Sequence, residues 1–158
     1  MEFAQKEIEY PQEVSSLLLP MQSLPLLLPN VAVAEIVTGN VTPNPRTPEW
    51  HLGSLSWRSV TIPVISFEGL NNQPVEGDML RVPMAVINSF LGEDALPFYA
   101  IRITGIPRLV RVASADLEID AGKTLAAERV RVNIGENKAA IPDLDFIERK
   151  MLDKEGSD

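Results

Sequence analysis

Residues 53–67 constrain the fold most strongly, because two alternating apolar runs meet there at a polar pair, Arg58-Ser59. Before this pair, Leu55 and Trp57 fall on one face of a strand, and after it the same alternation resumes over residues 60–64. Both runs keep their phase only if the chain turns at Arg58-Ser59. The pattern therefore predicts a β-hairpin whose turn presents an arginine, either as a plain surface charge or as a fixed anchor.

Short apolar runs punctuated by proline and glycine continue along the rest of the chain and predict an all-β protein. Residues 17–19 and 24–28 read as a second hairpin. Because Pro20, Pro25 and Pro29 cannot donate to a strand ladder, we expect its strands at the edges of a sheet or at bulges. The isolated glycines, Gly53 among them, are interpreted as turn residues.

Helical structure is expected to be sparse. Asn30 is a candidate N-cap for a helical turn, and residues 116–123 have turn chemistry. Near the C-terminus, Asp143 is the predicted N-cap of a helix, and Asp145 and Arg149 stand at the spacing of an ion pair. The apolar face of this helix is predicted to comprise Leu144, Ile147 and Met151.

Composition bounds the class of protein. With 158 residues, 45% of them hydrophobic, the chain can form one globular domain, expected over residues 15–154. Residues 1–14 carry four glutamates and are expected to form a flexible acidic tail. The apolar stretch at residues 17–28 is too short to span a membrane, and the acidic N-terminus is unlike a signal peptide, which predicts a cytoplasmic protein without membrane insertion.

The residue types for common chemistries are scarce. A net charge of −8 argues against a nucleic-acid partner. Without cysteines and with only His51 as histidine, the usual zinc ligand sets are missing, and His51 has no triad spacing. Residues 116–120 carry three acids but lack the full pattern of a calcium loop. We expect no catalytic residue, no metal and no cofactor.

The hairpin resembles the signature of the CheW family of chemotaxis coupling proteins, which runs Gly-x-x-Asn-x-Arg-Gly-x-x-x-Pro-x-x-Asp. Gly53, Arg58 and Pro63-Val64 stand at matching positions. Upstream, residues 33–37 resemble the family's Val-x-Glu-Ile segment, here with Glu35-Ile36, and a proline-bearing loop follows in both cases.

Three serines depart from that signature. Ser56 stands in place of the asparagine, Ser59 in place of the glycine after the arginine, and Ser66 in place of the aspartate. The resemblance is therefore to a divergent member, and it extends to the accessory adaptors of type IV pilus chemosensory systems called ChpC.

The resemblance implies a fold and a function. The fold would be two small SH3-like five-stranded β-barrels packed side by side, with short helical turns and a C-terminal helix; the middle lobe would span roughly residues 35–80. The function would be that of a non-enzymatic adaptor that couples chemoreceptors to a CheA-type histidine kinase, in a bacterial chemotaxis or twitching-motility array.

The partners implied by the resemblance are the CheW-like regulatory domain of the kinase, the cytoplasmic tip of a methyl-accepting chemoreceptor, and other CheW-like proteins. Glu35 and Arg58 are expected to meet across the edge of a barrel, near the place where receptors dock. The predicted partner-binding residues are Glu35, Ile36, Trp57, Arg58 and Ser59.

Two other functions fit the residues. One is an SH3-like interaction scaffold unrelated to the kinase, which the serines in the signature keep open. The other is a small ligand-binding or enzymatic β-barrel, which would need a closed pocket containing carboxylates with shifted pKa values.

Overall fold

The computed structural model describes residues 13–156. The predicted tail lies outside the described residues except for its last two, which begin the first strand. The strands are β1 (Glu13–Leu19), β2 (Leu26–Pro29), β3 (Val33–Gly39), β4 (His51–Trp57), β5 (Val60–Ile65), β6 (Val82–Asn88), β7 (Phe98–Arg102), β8 (Arg108–Ala113), β9 (Leu117–Asp120), β10 (Glu128–Ile134) and β11 (Asn137–Pro142). The helices are α1 (Phe67–Leu70) and α2 (Leu144–Gly156), and there are 3-10 turns at Asn30–Ala32 and Ser114–Asp116.

The strands form two sheets. The first has six strands in the order β8-β1-β2-β11-β10-β9, and the second has five in the order β3-β6-β7-β5-β4. Although β8 and β9 are opposite edges of the first sheet, only Ser114–Asp116 separates them in the chain. That link spans at most about 14 Å, whereas six flat strands span about 24 Å, so the sheet must curl.

The all-β prediction with a C-terminal helix is confirmed at the level of two sheets and a helix. The prediction of two five-stranded barrels is not confirmed, because one sheet has six strands and neither is closed by a continuous ladder. The five-stranded sheet also extends beyond the middle lobe expected at residues 35–80: its strands run from Val33 to Arg102, since β6 and β7 complete it.

The main core lies between the two sheets and α2. It contains Leu19, Leu26 and Leu28 from the first sheet, Ile65, Ile87 and Ile101 from the second, and Ile147 and Met151 from the helix. As predicted, Asp143 caps α2, because its Oδ1 accepts a hydrogen bond from the Phe146 amide at 3.0 Å. The predicted Asp145–Arg149 ion pair is also present, at 2.9 Å.

Three local predictions are wrong. The β1–β2 hairpin forms but is not at an edge: β1 lies between β8 and β2, because the prolines stand at or beyond the strand ends and remove no ladder bond. Asn30 is the first residue of its 3-10 turn rather than the cap, and no side chain caps that turn. Residues Leu117–Asp120 form β9 instead of a turn, since they pair with β10.

Candidate functional site

The predicted β4–β5 hairpin is present, with Trp57 paired to Val60 and a two-residue turn at Arg58-Ser59. Both turn residues have positive φ, 48° at Arg58 and 67° at Ser59. Positive φ at both central positions is the requirement of the tight hairpin turn that matches strand twist. The turn therefore fixes the backbone from which the Arg58 side chain leaves the sheet.

Glu35, Trp57 and Arg58 form one cluster across the two edge strands of the five-stranded sheet. The Glu35 Oε1 atom accepts a hydrogen bond from Trp57 Nε1 at 2.9 Å and lies 3.2 Å from an Arg58 guanidinium nitrogen. The guanidinium carbon lies 4.6 Å from the centre of the Trp57 ring. The expected meeting of Glu35 and Arg58 is thus seen in the structure, and Trp57 is the residue that orients both partners.

The cluster is open to solvent on one side. The Arg58 side chain is 63% exposed and that of Glu35 is 42% exposed, whereas Trp57 is buried. An ion pair this exposed contributes only about 0–1 kcal/mol to folding. The Arg58 guanidinium is held in place and still faces solvent, so its remaining N–H donors can bind a carboxylate or carbonyl of a partner.

The two edge strands approach each other because the sheet is also linked beyond β3. Thr42 and Ser54 exchange both backbone hydrogen bonds, each at 2.9 Å. Between this bridge and the Glu35 cluster lies a groove of about 480 Å³, lined by residues of β3 and β4 and the adjoining Asn40 and Arg58. The groove therefore lies between the two edge strands of the five-stranded sheet.

Gly53 makes that approach possible and is not a turn residue, contrary to the prediction. It lies within β4 with φ of +142°, and a Cβ atom there would collide with the Thr42 carbonyl oxygen. Only glycine has no side chain to exclude the neighbouring backbone. The glycine that begins the CheW-like signature therefore has a physical role here, which is to let β4 pair with the segment that follows β3.

Ile36 is not part of the cluster, although it is next to Glu35. Its cross-strand partner Ala85 belongs to the main core, whereas the partner of Glu35, Val86, belongs to the core on the opposite face. Ile36 therefore lies on the other face of the sheet, where it is partly exposed. Ser59 is exposed at the turn beside Arg58, where its backbone has positive φ.

A crystal structure of the scaffolding protein TtCheW from Thermoanaerobacter tengcongensis superposes on the chain with a TM-score of 0.68. The match covers 82% of this chain and 88% of that protein, at 16% sequence identity. The chain has a CheW-like fold. No family model matches the sequence, and no curated protein matches it either.

In this CheW-like fold, one of the three serine departures has a clear structural role. Ser66 is the N-cap of α1, and its Oγ accepts a hydrogen bond from the Gly69 amide at 3.0 Å. Serine and aspartate are both favoured N-cap residues, because each offers a short side-chain oxygen. The serine can therefore replace the aspartate of the signature without loss of the cap.

The second departure, Ser59, predicts a stabilising substitution. Glycine adopts positive φ without the steric cost that serine incurs, so Ser59→Gly should raise the free energy of unfolding by about 0.5–1 kcal/mol. Chemical denaturation of the two proteins measures this difference. A variant that is equally or less stable would mean that Ser59 makes a compensating interaction.

Sequence reasoning missed Phe98, which packs against Trp57 with ring centres 4.9 Å apart. Phe98 belongs to β7, 41 positions after Trp57, and only the order of strands in the sheet brings the two rings together. The tilted contact between the two rings packs the Trp57 indole against β7, the strand that follows the β6–β7 connection.

Enzyme-like features are weak in the described residues. Within residues 13–156, no group of three or more histidine, aspartate or glutamate side chains is placed to hold a metal ion. His51 lines a cavity of about 700 Å³ together with Arg46 and the 42–47 loop, and no carboxylate lines this cavity. None of the helices in the described part of the chain is long and apolar enough to cross a membrane.

Proposed function

We propose that this protein is a non-enzymatic cytoplasmic adaptor that couples chemoreceptors to a CheA-type histidine kinase in a chemotaxis or twitching-motility array. It would bind the CheW-like regulatory domain of the kinase and the cytoplasmic tip of a methyl-accepting chemoreceptor, with other CheW-like proteins as further partners. The type IV pilus setting and a ChpC-type accessory role belong to this proposal. No cofactor, metal or nucleic acid is required.

The observation that carries the proposal is the exposed Glu35–Trp57–Arg58 cluster on a chain whose fold is that of a scaffolding protein. The arginine of the CheW-like signature is the most exposed member of this cluster and is fixed by an acid and an indole ring. A fixed, incompletely paired guanidinium adds orientation and specificity to an interface whose area comes from neighbouring apolar groups. Glu35, Trp57, Arg58 and Ser59 would form one edge of that interface, and Ile36 would contact a partner only on the other sheet face.

Charge reversal at Arg58 should weaken partner binding without unfolding the protein. We expect Arg58→Glu to lower the affinity for the kinase regulatory domain at least about tenfold, because two carboxylates would then face the partner group that Arg58 binds. Titration calorimetry with the purified domain and with a receptor-tip fragment measures the effect. Thermal unfolding should show a stability change of about 1 kcal/mol or less.

Arg149→Glu is the matched control. Arg149 is 66% exposed and is paired to Asp145 at 2.9 Å. The substitution therefore reverses an equally exposed charge in a similar ion pair on α2. Its affinity should equal that of the unmodified protein. Equal weakening by both variants would indicate a general charge effect, and absence of binding to both the kinase domain and the receptor tip would favour an unrelated interaction scaffold.

A further inference from the structure

The cavity of about 700 Å³ that His51 lines lies between the 42–47 loop and the β4–β5 hairpin. Thr42 and Ser54, whose backbone groups bridge the loop to β4, both line it. It shares no lining residue with the groove beside Arg58. Its volume falls in the range of about 300–1,000 Å³ that is typical of small-molecule sites. The cavity is therefore separate from the proposed partner-binding surface and large enough for a ligand of its own.

The loop that forms one wall of this cavity is held in a defined conformation. The Asn44 Oδ1 atom accepts a hydrogen bond from the Arg46 amide at 3.0 Å, and the Asn44 carbonyl accepts one from the Thr47 amide at 3.2 Å. The Thr47 hydroxyl is shared between the carbonyl oxygens of Asn44, at 2.8 Å, and His51, at 3.0 Å. The backbone that carries Arg46 is thus fixed in the absence of a ligand, which lowers the entropic cost of binding one.

The cavity is cationic, although the chain has a net charge of −8. Arg46 lines it, and none of the lining residues is an aspartate or a glutamate. Within residues 13–156, Arg46 forms no ion pair, whereas the exposed guanidinium groups of Arg58 and Arg149 each do. A guanidinium offers a planar set of N–H donors that matches the oxygens of a carboxylate or a phosphate. The complementary ligand is therefore an anion.

The rest of the lining is partly polar and partly apolar. Thr42, Ser54 and Thr61 contribute hydroxyl groups, which both donate and accept hydrogen bonds. Pro45 and Ile62 contribute apolar surface. A bare inorganic ion would leave this apolar surface uncovered. A molecule with one charged group and a hydrocarbon body would contact both kinds of lining residue.

We propose that this cavity binds a small organic anion, with its carboxylate or phosphate group on the Arg46 guanidinium and its hydrocarbon body against Pro45 and Ile62. The site goes beyond the adaptor function and does not depend on it. A ligand that contacts Thr42 and Ser54 together would also reinforce the backbone bridge between the loop and β4. Because such a ligand binds only the folded chain, it should raise the temperature of thermal unfolding.

The test is titration calorimetry of the full chain with three probes of similar shape: phenyl phosphate, benzoate and the neutral benzamide. We expect at least one of the two anions to bind about tenfold or more tightly than benzamide. Arg46→Gln should weaken that binding about tenfold or more, because it removes the charge and keeps the backbone amide that bonds to Asn44. Arg149→Gln is the matched control, since it removes an exposed arginine on α2, and its affinity should stay within about twofold.

The position of the bound probe is measured by the shifts of backbone amide signals in NMR spectra. The shifts should be confined to residues 42–47, 51–54 and 61–63, and residues 35–40 beside Arg58 should be unaffected. Tighter binding of phenyl phosphate than of benzoate would assign the ligand to the phosphates, and the reverse order would assign it to the carboxylates.

Three results would each overturn the anion site: equal affinity for the anions and benzamide, binding that Arg46→Gln leaves unchanged, or no binding of either anion at about 10 mM. All three would leave the adaptor function standing, because the kinase domain and the receptor tip take no part in these measurements. Conversely, a chain that binds neither of those partners could still bind the anion at Arg46.

Discussion

Replacing Gly53 with alanine should lower the free energy of unfolding by about 3–5 kcal/mol, the largest effect expected from a single methyl group in this chain. The residue has φ of +142°, and the added Cβ would meet the Thr42 carbonyl oxygen, which is backbone and cannot move aside as a side chain could. Small domains are stable by only about 5–15 kcal/mol, so the loss should be visible as a much lower denaturant midpoint.

A matched glycine separates the collision from backbone strain alone. Gly135 also has positive φ, 63°, but nothing lies within 4 Å of a Cβ built there. Gly135→Ala should therefore cost only about 1 kcal/mol. Equal costs at the two positions would contradict the role assigned to Gly53 in bringing β4 against the Thr42 segment.

Replacing Glu148 with glutamine should cost about 2–4 kcal/mol, although the two side chains have nearly the same shape. Glu148 lies in α2, is completely buried, and accepts hydrogen bonds from Tyr99 Oη, Ser89 Oγ and the backbone amides of Phe90 and Leu91 in the Phe90 loop between β6 and β7. The glutamine amide nitrogen would face donors that now point at a carboxylate oxygen, and at least one backbone amide of the Phe90 loop would lose its acceptor. Chemical denaturation measures the loss, and hydrogen exchange at the Phe90 and Leu91 amides should become faster than in the unmodified chain.

Asp145→Asn on the same helix is the control for this change. Asp145 is partly exposed and pairs with the neighbouring Arg149 on the surface of α2, so its loss should cost about 0.5 kcal/mol or less. A glutamine variant as stable as this control, with unchanged exchange at the Phe90 amide, would show that the buried carboxylate does not fix the loop.

Two local patterns in the sequence predicted local structure correctly, the hairpin turn and the helix cap. The alternation around Arg58-Ser59 places the turn correctly, because side-chain direction in a strand has a period of two and any other turn position would bury polar residues. The cap at Asp143 was likewise predictable, since one short side chain and the amide three residues later define it.

Contacts between distant segments were not predictable from the residues alone. The family resemblance predicted the Glu35–Arg58 pair. It did not predict that Trp57 donates a hydrogen bond to Glu35. Glu148 has no sequence feature that distinguishes it from a solvated helix acid; its burial depends on where α2 packs against β7. The prediction that the prolines place β1 and β2 at sheet edges was wrong, because the effect of a proline depends on the exact end of each strand.

The most direct test of the adaptor proposal asks whether the protein joins its two partners. Vesicles that contain a chemoreceptor with its cytoplasmic tip exposed are sedimented with the CheA-type kinase, with and without this protein. The account predicts that the kinase sediments with the vesicles only when the protein is present. With the Arg58→Glu variant the kinase should stay in the supernatant, and with Arg149→Glu it should still sediment. Equal kinase in the pellet with and without the protein would contradict the account.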